Sequence, residues 1–430
     1  VDPRTGMPRV GMVGGGQLAR MTQQAAIGLG QTLRVLAVSA DDSAALVTPE
    51  LEIGIHTDLV ALRSFAQGCE VVTFDHEHVP TEHIRTLASE GHAMYPGADA
   101  LEHAQDKGVM RRKLRAMGLP VPPFSVIPAD ANSELTHKAT EEFAAAHGWP
   151  VVLKTCRGGY DGRGVWILKD SAHAAAVLTH LGSAGDLLVE TLVPLDRELA
   201  AVVARSPFGQ AAAWPVVETV QQQGICVEVI APAQNLDDAR AVAAQELALS
   251  IAASLGVVGV LAVELFEVAP SAQFPGGLVI NELAMRPHNS GHWSIDGAIT
   301  SQFEQHLRAV LDYPLGKTDA VFPVMVMGNV IGGSLDSPGA GMGMDERIHH
   351  LAARFPAVKV HLYGKSFRPG RKLGHVNVGG SDLAVTRRTA QLAALWLSDG
   401  VWGDGYAIHG PADDASDSPQ HQRGTDRGAR

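Results

Sequence analysis

The chain has 430 residues, 46% of them hydrophobic and 19% charged, enough apolar material for two or three globular domains. Its net charge of −12 argues against a nucleic-acid coat or an anionic membrane surface, while leaving room for a local basic pocket that takes a phosphorylated metabolite. The longest apolar stretch, residues 251–263, is too short to span a bilayer, and residues 1–8 lack the apolar core of a signal peptide.

Residues 9–13 predict a short apolar strand. Gly14-Gly15-Gly16-Gln17-Leu18-Ala19 then opens a helix that runs to about Leu29. Residues 32–38 predict a second buried strand, and residues 70–74 another, ending at Asp75-His76-Glu77-His78. Strand, helix and strand in this rhythm imply a parallel sheet with crossover helices and ligands at the carboxyl ends of its strands. Gly14-x-Gly16-x-x-Ala19, with Asp41 downstream, approaches a dinucleotide fingerprint. The same geometry binds any phosphate, or simply packs a helix on a strand. A first domain ends near Asp106. Residues 106–117 predict a basic helix with Lys107, Arg111, Arg112, Lys113 and Arg115, most of them a solvated face, and Pro120, Pro122 and Pro123 mark a linker. A small second domain spans about 124–190. A third starts near Thr191, with strands at 198–204, 213–218, 257–266 and 278–281 and a helix over about 237–255. A strand-rich piece covers 358–378. Residues 411–430 are polar without apolar periodicity and read as a disordered tail.

Five features carry chemistry. Lys154-Thr155-Cys156-Arg157-Gly158-Gly159-Tyr160-Asp161-Gly162-Arg163-Gly164 lies between two apolar runs and reads as a β-hairpin turn. Its glycines let backbone N–H groups approach a phosphate chain, and Lys154 brings a charge to the same phosphates. It is not a Walker loop, which would open a helix; the competing reading is a mobile surface turn. Glu264 and Glu282 are carboxylates inside strongly apolar strands, so each needs a cation or a donor. Adjacent in one sheet they would suit Mg²⁺; a buried Arg partner for one of them is the equal alternative. Arg286-Pro287-His288-Asn289-Ser290-Gly291-His292-Trp293 is a dense polar loop in which Arg286 and Asn289 could hold a small oxyanion, or a structural turn. Glu190 and Glu198 flank a possible hinge, although spacing alone favours solvated carboxylates. Lys365 to His375 carries four basic groups and reads as an anion pocket or a solvated basic turn.

Taken in order, Gly14 to Met21, Lys154 with Gly158 to Gly164, Glu264, Asn281 to Ala284, Arg286 to Trp293 and Arg368 to His375 closely resemble the 5-(carboxyamino)imidazole ribonucleotide synthetase family of ATP-grasp enzymes in microbial purine biosynthesis. The resemblance covers roughly residues 8–408. It implies an α/β and α+β architecture: a three-domain ATP-grasp fold with an N-terminal parallel-sheet domain. The expected divisions are 8–106, a helix and linker at 107–123, a lid at 124–190 and a large domain at 191–408. The implied reaction joins bicarbonate to aminoimidazole ribonucleotide at the expense of ATP. The resemblance assigns ATP to Lys107, Lys154, Gly159, Gly162, Glu190, Val193 and Glu198, with Glu190 at the adenine hinge and Glu198 at the ribose. Mg²⁺, with Mn²⁺ as a substitute, falls to Glu264 and Glu282. The ribonucleotide falls to Gln17, Glu77, Tyr160, Asp161, Arg163, Lys365, Arg371 and Lys372, and the bicarbonate and carboxyphosphate site to Arg286, His288 and Asn289. The family also implies a homodimer with small-molecule substrates and no nucleic-acid or membrane partner. Cys69, Cys156 and Cys226 stand in no metal or redox spacing, which fits a reducing cytoplasm.

The chain departs from the family pattern at Asp75-His76-Glu77-His78, where Glu-x-Glu-Asn is frequent, and at Glu218-Thr219-Val220-Gln221, where Thr and Gln replace Asn and His. The rivals are a formate-dependent transformylase of the same fold, which would lack the 288–293 loop, and a nicotinamide-dependent dehydrogenase, which would leave the hairpin and the carboxylate pair unexplained.

Overall fold

The computed structural model describes residues 1–159, 162–181, 185–337 and 339–407. Among these residues the strands form three sheets, of four, four and nine strands. The first is parallel, in the order β3-β2-β1-β4, from β1 (Val10–Val13), β2 (Leu33–Ala37), β3 (Glu50–Ile53) and β4 (Val71–Phe74). Every residue of β1 and β4 is buried, which is why these strands read as unbroken apolar runs. The helix Gln17–Gly28 crosses from β1 to β2. The edge strand β3 and the helix Leu59–Ala66 add to the expected elements. No residue of β3 is fully buried, so it lacks the apolar run that betrays its neighbours.

The second sheet is antiparallel, in the order β5-β8-β6-β7, from β5 (Phe124–Ile127), β6 (Val151–Thr155), β7 (Val165–Leu168) and β8 (Leu187–Thr191). Strands β6 and β7 are the predicted hairpin, with Lys154 opposite Val165. Phe143, Ala174 and Leu178, from two helices, close a core against Val151, Leu153 and Val189.

The third sheet comprises β9 (Arg197–Arg205), β10 (Ala211–Ala213), β11 (Val217–Gln222), β12 (Ile225–Ala231), β13 (Gly259–Glu267), β14 (Leu278–Ala284), β15 (Val324–Ile331), β16 (Lys359–Leu362) and β17 (Lys372–Gly380). Its order is β14-β13-β9-β11-β12-β15-β17-β16, with β10 on β9, so the C-terminal strands extend the sheet that carries both candidate metal carboxylates. The single strand expected over 213–218 is two strands. Pro215 has no N–H for the ladder, and Trp214 is buried at the break, its indole N–H donating to Thr300 O at 3.0 Å.

The helix Gln302–Val310 joins the first sheet to the third. Leu307 and Val310 share a core with Val10, Met12 and Val35. His306 Nδ1 accepts from Val260 N at 3.1 Å, and its Nε2 lies 2.8 Å from Thr73 Oγ1. This docking turns the carboxyl ends of the parallel strands toward β13 and β14. Among the described residues no helix is long and apolar enough to cross a membrane.

Candidate active site

Glu264 on β13 stands opposite Glu282 on β14, but the next pair is Leu265 with Ile280. Asn281 is therefore an extra residue, a β-bulge. Regular alternation would send Asn281 and Glu282 to opposite faces; the bulge lets both line one cleft. Burial, then the Glu282 and Glu198 carboxylates, push the Glu264 carboxyl well above the usual carboxylate range. Asn281 donates to Glu264 Oε2 at 3.4 Å and accepts from Lys154 Nζ at 3.2 Å. Lys107 Nζ lies 2.8 Å from Glu282 Oε1. Two carboxylates and an amide are what Mg²⁺ takes from a protein when phosphate oxygens and water complete its shell. Among the described residues no cluster of three or more His, Cys, Asp or Glu is placed to hold a metal ion.

Behind this pair lies a buried ion cluster. Glu190 accepts from Lys154 Nζ at 2.5 Å and from Arg111 Nε at 3.0 Å. Burial opposes its ionisation, yet Arg111 and Lys154 together hold its carboxyl below the ordinary range. The side chain of Glu190 thus fixes Lys154 at the mouth of the hairpin. Lys107 and Arg111 are four residues apart on the helix Lys107–Ala116 and share a face. Asp106 caps that helix by accepting from Val109 N at 3.0 Å.

Strand β14 leads into the 286–293 loop. Glu77, just past β4, accepts from Met285 N at 2.7 Å and lies 3.5 Å from Arg286 Nε. Gln302 clamps the loop: it accepts from His288 N at 2.9 Å, donates to His288 O at 2.8 Å and meets His292 Nδ1 at 2.9 Å. Asn289 and Asn329 exchange amide hydrogen bonds of 3.0 and 2.8 Å. Ser290 N donates to His288 Nδ1 at 3.4 Å, which leaves the ring proton on Nε2, 3.5 Å from Glu264 Oε1. Burial, then Arg286 and Lys372, push His288 down to about 3, so it is neutral near pH 7.

The carboxylate pair, Lys107, Lys154, Glu190 and the Arg286–Asn289 loop line one cleft of about 1070 Å³. Its wall includes Gln17, Glu77, Lys107, Lys154, Gly159, Gly162, Glu190, Val193, Glu198, Glu264, Glu282, Arg286, His288, Asn289 and Lys372. Val152, Ile167, Leu192, Val193 and Phe266 give it an apolar end that suits a flat base. A methyl group on Gly159 would come within 2.9 Å of Arg163 O, and Gly162 has φ +75°, so a side chain at either position would distort the turn locally. Arg163, Lys365 and Arg371 stand outside the described wall. Lys365 Nζ donates to Gln17 Oε1 at 2.5 Å, and Arg371 donates to Ser366 Oγ at 2.9 Å. Tyr160, Asp161 and the 411–430 tail lie outside the described residues.

Sequence reasoning missed Arg111, Gln302 and Asn329. The spacing of Lys107 and Arg111 was an available signal; Gln302 and Asn329 act through distant partners and left none. Asp75, whose role was open, is buried at the start of the helix Gln17–Gly28. Its carboxylate accepts from Gly16 N, and from Ala19 N at 3.1 Å. Asp75 thus engages two of the N–H groups at this helix start, and a Cβ on Gly14 or Gly16 would run into its side chain, so glycine at these two positions makes room for a close carboxylate.

A glycine-rich hairpin on a small antiparallel sheet, facing a carboxylate pair on a large one, is the arrangement of an ATP-grasp protein, and residues 112–303 match the ATP-grasp domain family. Residues 7–105 match the ribonucleotide synthetase preATP-grasp domain, and residues 325–389 the phosphoribosylaminoimidazole carboxylase C-terminal domain. The chain is 58% identical over 413 residues to the N5-carboxyaminoimidazole ribonucleotide synthase of Mycobacterium tuberculosis, covering 96% of this chain and 93% of that one. It is 46% identical over 403 residues to the enzyme of that name from Corynebacterium ammoniagenes, covering 94% and 95%. Among solved structures, the N5-carboxyaminoimidazole ribonucleotide synthetase of Thermus thermophilus matches with a TM-score of 0.77 and 36% identity over 90% of this chain and 98% of that one. The Aspergillus clavatus enzyme, solved with ADP and 5-aminoimidazole ribonucleotide, matches with a TM-score of 0.79 and 30% identity over 92% and 99%. The chain belongs to the N5-carboxyaminoimidazole ribonucleotide synthase family.

Proposed function

We propose that this protein uses ATP to carboxylate 5-aminoimidazole ribonucleotide with bicarbonate, giving the N5-carboxyamino product, ADP and phosphate. The observation that carries the reading is the bulge at Asn281. It sets a carboxylate pair, two lysines and the Arg286–Asn289 loop around one cleft beneath a glycine-rich hairpin. Related enzymes of this name, one of them solved with ADP and the ribonucleotide, support the same chemistry.

Bicarbonate is a poor electrophile. A bicarbonate oxygen attacks the γ-phosphorus of ATP, ADP leaves, and the resulting carboxyphosphate breaks its carbon–oxygen bond to give CO₂ and phosphate. The exocyclic amine then attacks CO₂ and loses a proton. Lys107 and Lys154 neutralise phosphate charge, and Arg286 holds the small anion. Neutral His288 can donate from Nε2 without adding a second cation beside Arg286. The apolar end takes adenine, and Glu198 takes the ribose hydroxyls. Glu264 and Glu282 would hold Mg²⁺, which would supply charge neutralisation on the phosphates. Lys372 and Gln17, the latter tied to Lys365, line the ribonucleotide side, and the hairpin shields a water-sensitive intermediate. Lys365, Arg371, Arg163, Tyr160 and Asp161 remain assigned to the ribonucleotide on the family resemblance, as do the divisions at 106, 123, 190 and 408, the homodimer and the cytoplasmic setting.

The test is isotope transfer. With ¹⁸O-labelled bicarbonate, ribonucleotide and ATP, the released phosphate should carry label. Unlabelled phosphate in a carboxylating reaction, with exchange controlled, would eliminate the carboxyphosphate route.

A further inference from the structure

Asn329 on β15 is 5% exposed, and its side-chain amide is fully engaged. Its Nδ2 donates to Cys226 O on β12 and to Asn289 Oδ1, both at 2.8 Å, and its Oδ1 accepts from Asn289 Nδ2 at 3.0 Å. An amide nitrogen carries two N–H groups, so both are spent. A backbone carbonyl only accepts, so Cys226 O decides which end of the Asn329 amide faces it. The other N–H and the oxygen of Asn329 then offer one donor and one acceptor to Asn289. Asn289 can answer both in only one of its two amide orientations. Turned by 180°, it would set nitrogen against nitrogen and oxygen against oxygen, and both bonds would be lost. Among the described residues the Asn289 side chain has no other hydrogen-bond partner, so this pairing alone fixes it. One Asn289 N–H is left over, on a side chain that lines the cleft beside Arg286 and His288. Asn329 itself does not line the cleft.

We propose that Asn329 is a positioning residue for the small anion: it locks the Asn289 amide with an N–H toward the cleft, so that bicarbonate meets a donor there and not a carbonyl oxygen. The inference rests on the reading of Arg286, His288 and Asn289 as the bicarbonate site. It adds a residue that acts through Asn289 and touches no substrate. Because the lock holds one amide, its effect is confined to one substrate; an amide that only filled space would disturb the cleft without that selectivity.

The experiment is initial-rate kinetics on the full chain in CO₂-free buffer with Mg²⁺, varying bicarbonate, ATP and ribonucleotide in turn. The proteins are the native chain, Asn329→Ala, Asn289→Ala and the double variant. Asn329→Ala should raise the bicarbonate KM about tenfold, the scale of one hydrogen bond to a charged group, and change the KM values for ATP and ribonucleotide less than about twofold. Its kcat at saturating bicarbonate should stay close to native. Asn289→Ala should raise the bicarbonate KM at least as much. Adding Asn329→Ala to it should change nothing further, because Asn329 acts only through Asn289. Asn329→Ser leaves a smaller gap and can still donate to Cys226 O, but it cannot pair twice with Asn289. It should show the same selective defect, which covers the case of an Ala variant that fails to fold. Equal rises in all three KM values, an unchanged bicarbonate KM, or effects that multiply in the double variant would overturn the proposal and leave the proposed reaction standing. Native turnover that ignores bicarbonate would sink the reaction, and this inference with it.

Discussion

Replacing Glu190 by Gln preserves shape and removes one charge from the cluster that holds Lys154. Glu190, Arg111 and Lys154 are 2%, 1% and 8% exposed, so little water can solvate the two cations left behind. Arg111 Nη1 already lacks a hydrogen-bond partner among the described residues. Removing one member of a buried pair costs about 3–5 kcal/mol. The amide keeps a hydrogen-bond acceptor, which places the expected loss near the lower end, at about 3 kcal/mol. The loss should fall on the four-stranded sheet, because Glu190 lies on β8 and Arg111 on the helix packed beside it. Hydrogen exchange on the nucleotide-free protein reads this element by element. Protection should drop about 100-fold at β6 and β8 and stay unchanged at β1 and β4. Mg–ADP should recover part of the loss, since its phosphates return negative charge to Lys154. Unchanged protection at β6 and β8 in a variant of normal circular dichroism would refute the reasoning, because it would mean that the cluster is neutral or wet.

Three further outcomes follow from the same geometry. Glu282→Gln should fold normally, loosen Lys107 from its 2.8 Å partner and lower turnover about 100-fold; full activity at saturating Mg²⁺ would remove Glu282 from the metal site. His306 is fully buried, and burial pushes its imidazole down from 6.5 to about 4. The unfolded chain therefore takes up a proton that the folded protein refuses, so stability is full above about pH 6.5 and falls as pH drops toward 4, by roughly 3 kcal/mol. His306→Gln should flatten that slope in urea titrations at pH 7 and pH 4.5; an unchanged slope would assign acid sensitivity elsewhere. Gly159→Ala with Gly162→Ala should weaken Mg–ADP binding and leave the melting temperature of the free protein within about 2 °C, since neither residue belongs to a core. A large fall in melting temperature would mean that the hairpin is a structural element and not a cover.

The buried parallel strands were legible because β1 and β4 carry apolar side chains on both faces. The hairpin was legible because glycines punctuate two apolar runs, and Glu264 and Glu282 stood out as charges where a strand has none to spare. What the sequence did not show depends on register. The extra residue at Asn281 leaves no trace in a run that reads as one strand, yet it decides which side chains enter the cleft. Trp214 hides the break between β10 and β11 because it is as apolar as a strand residue. Gln302 and Asn329 are ordinary amides until the fold brings them to His288 and Asn289 from 14 and 40 residues away. Arg111 read as one solvated charge among five; only the contact with Glu190 distinguishes it. The triple glycine misled in the other direction, since its pattern allows a close approach without specifying whether a phosphate or Asp75 makes it.

The measurement that bears most directly on the proposed reaction is ADP release with purified protein, ATP and Mg²⁺, adding 5-aminoimidazole ribonucleotide and bicarbonate separately and together. The account predicts rapid ADP formation only when both are present, with one carboxylated ribonucleotide per ADP. ADP release of the same rate without bicarbonate, or ADP formed with no carboxylated product, would contradict it.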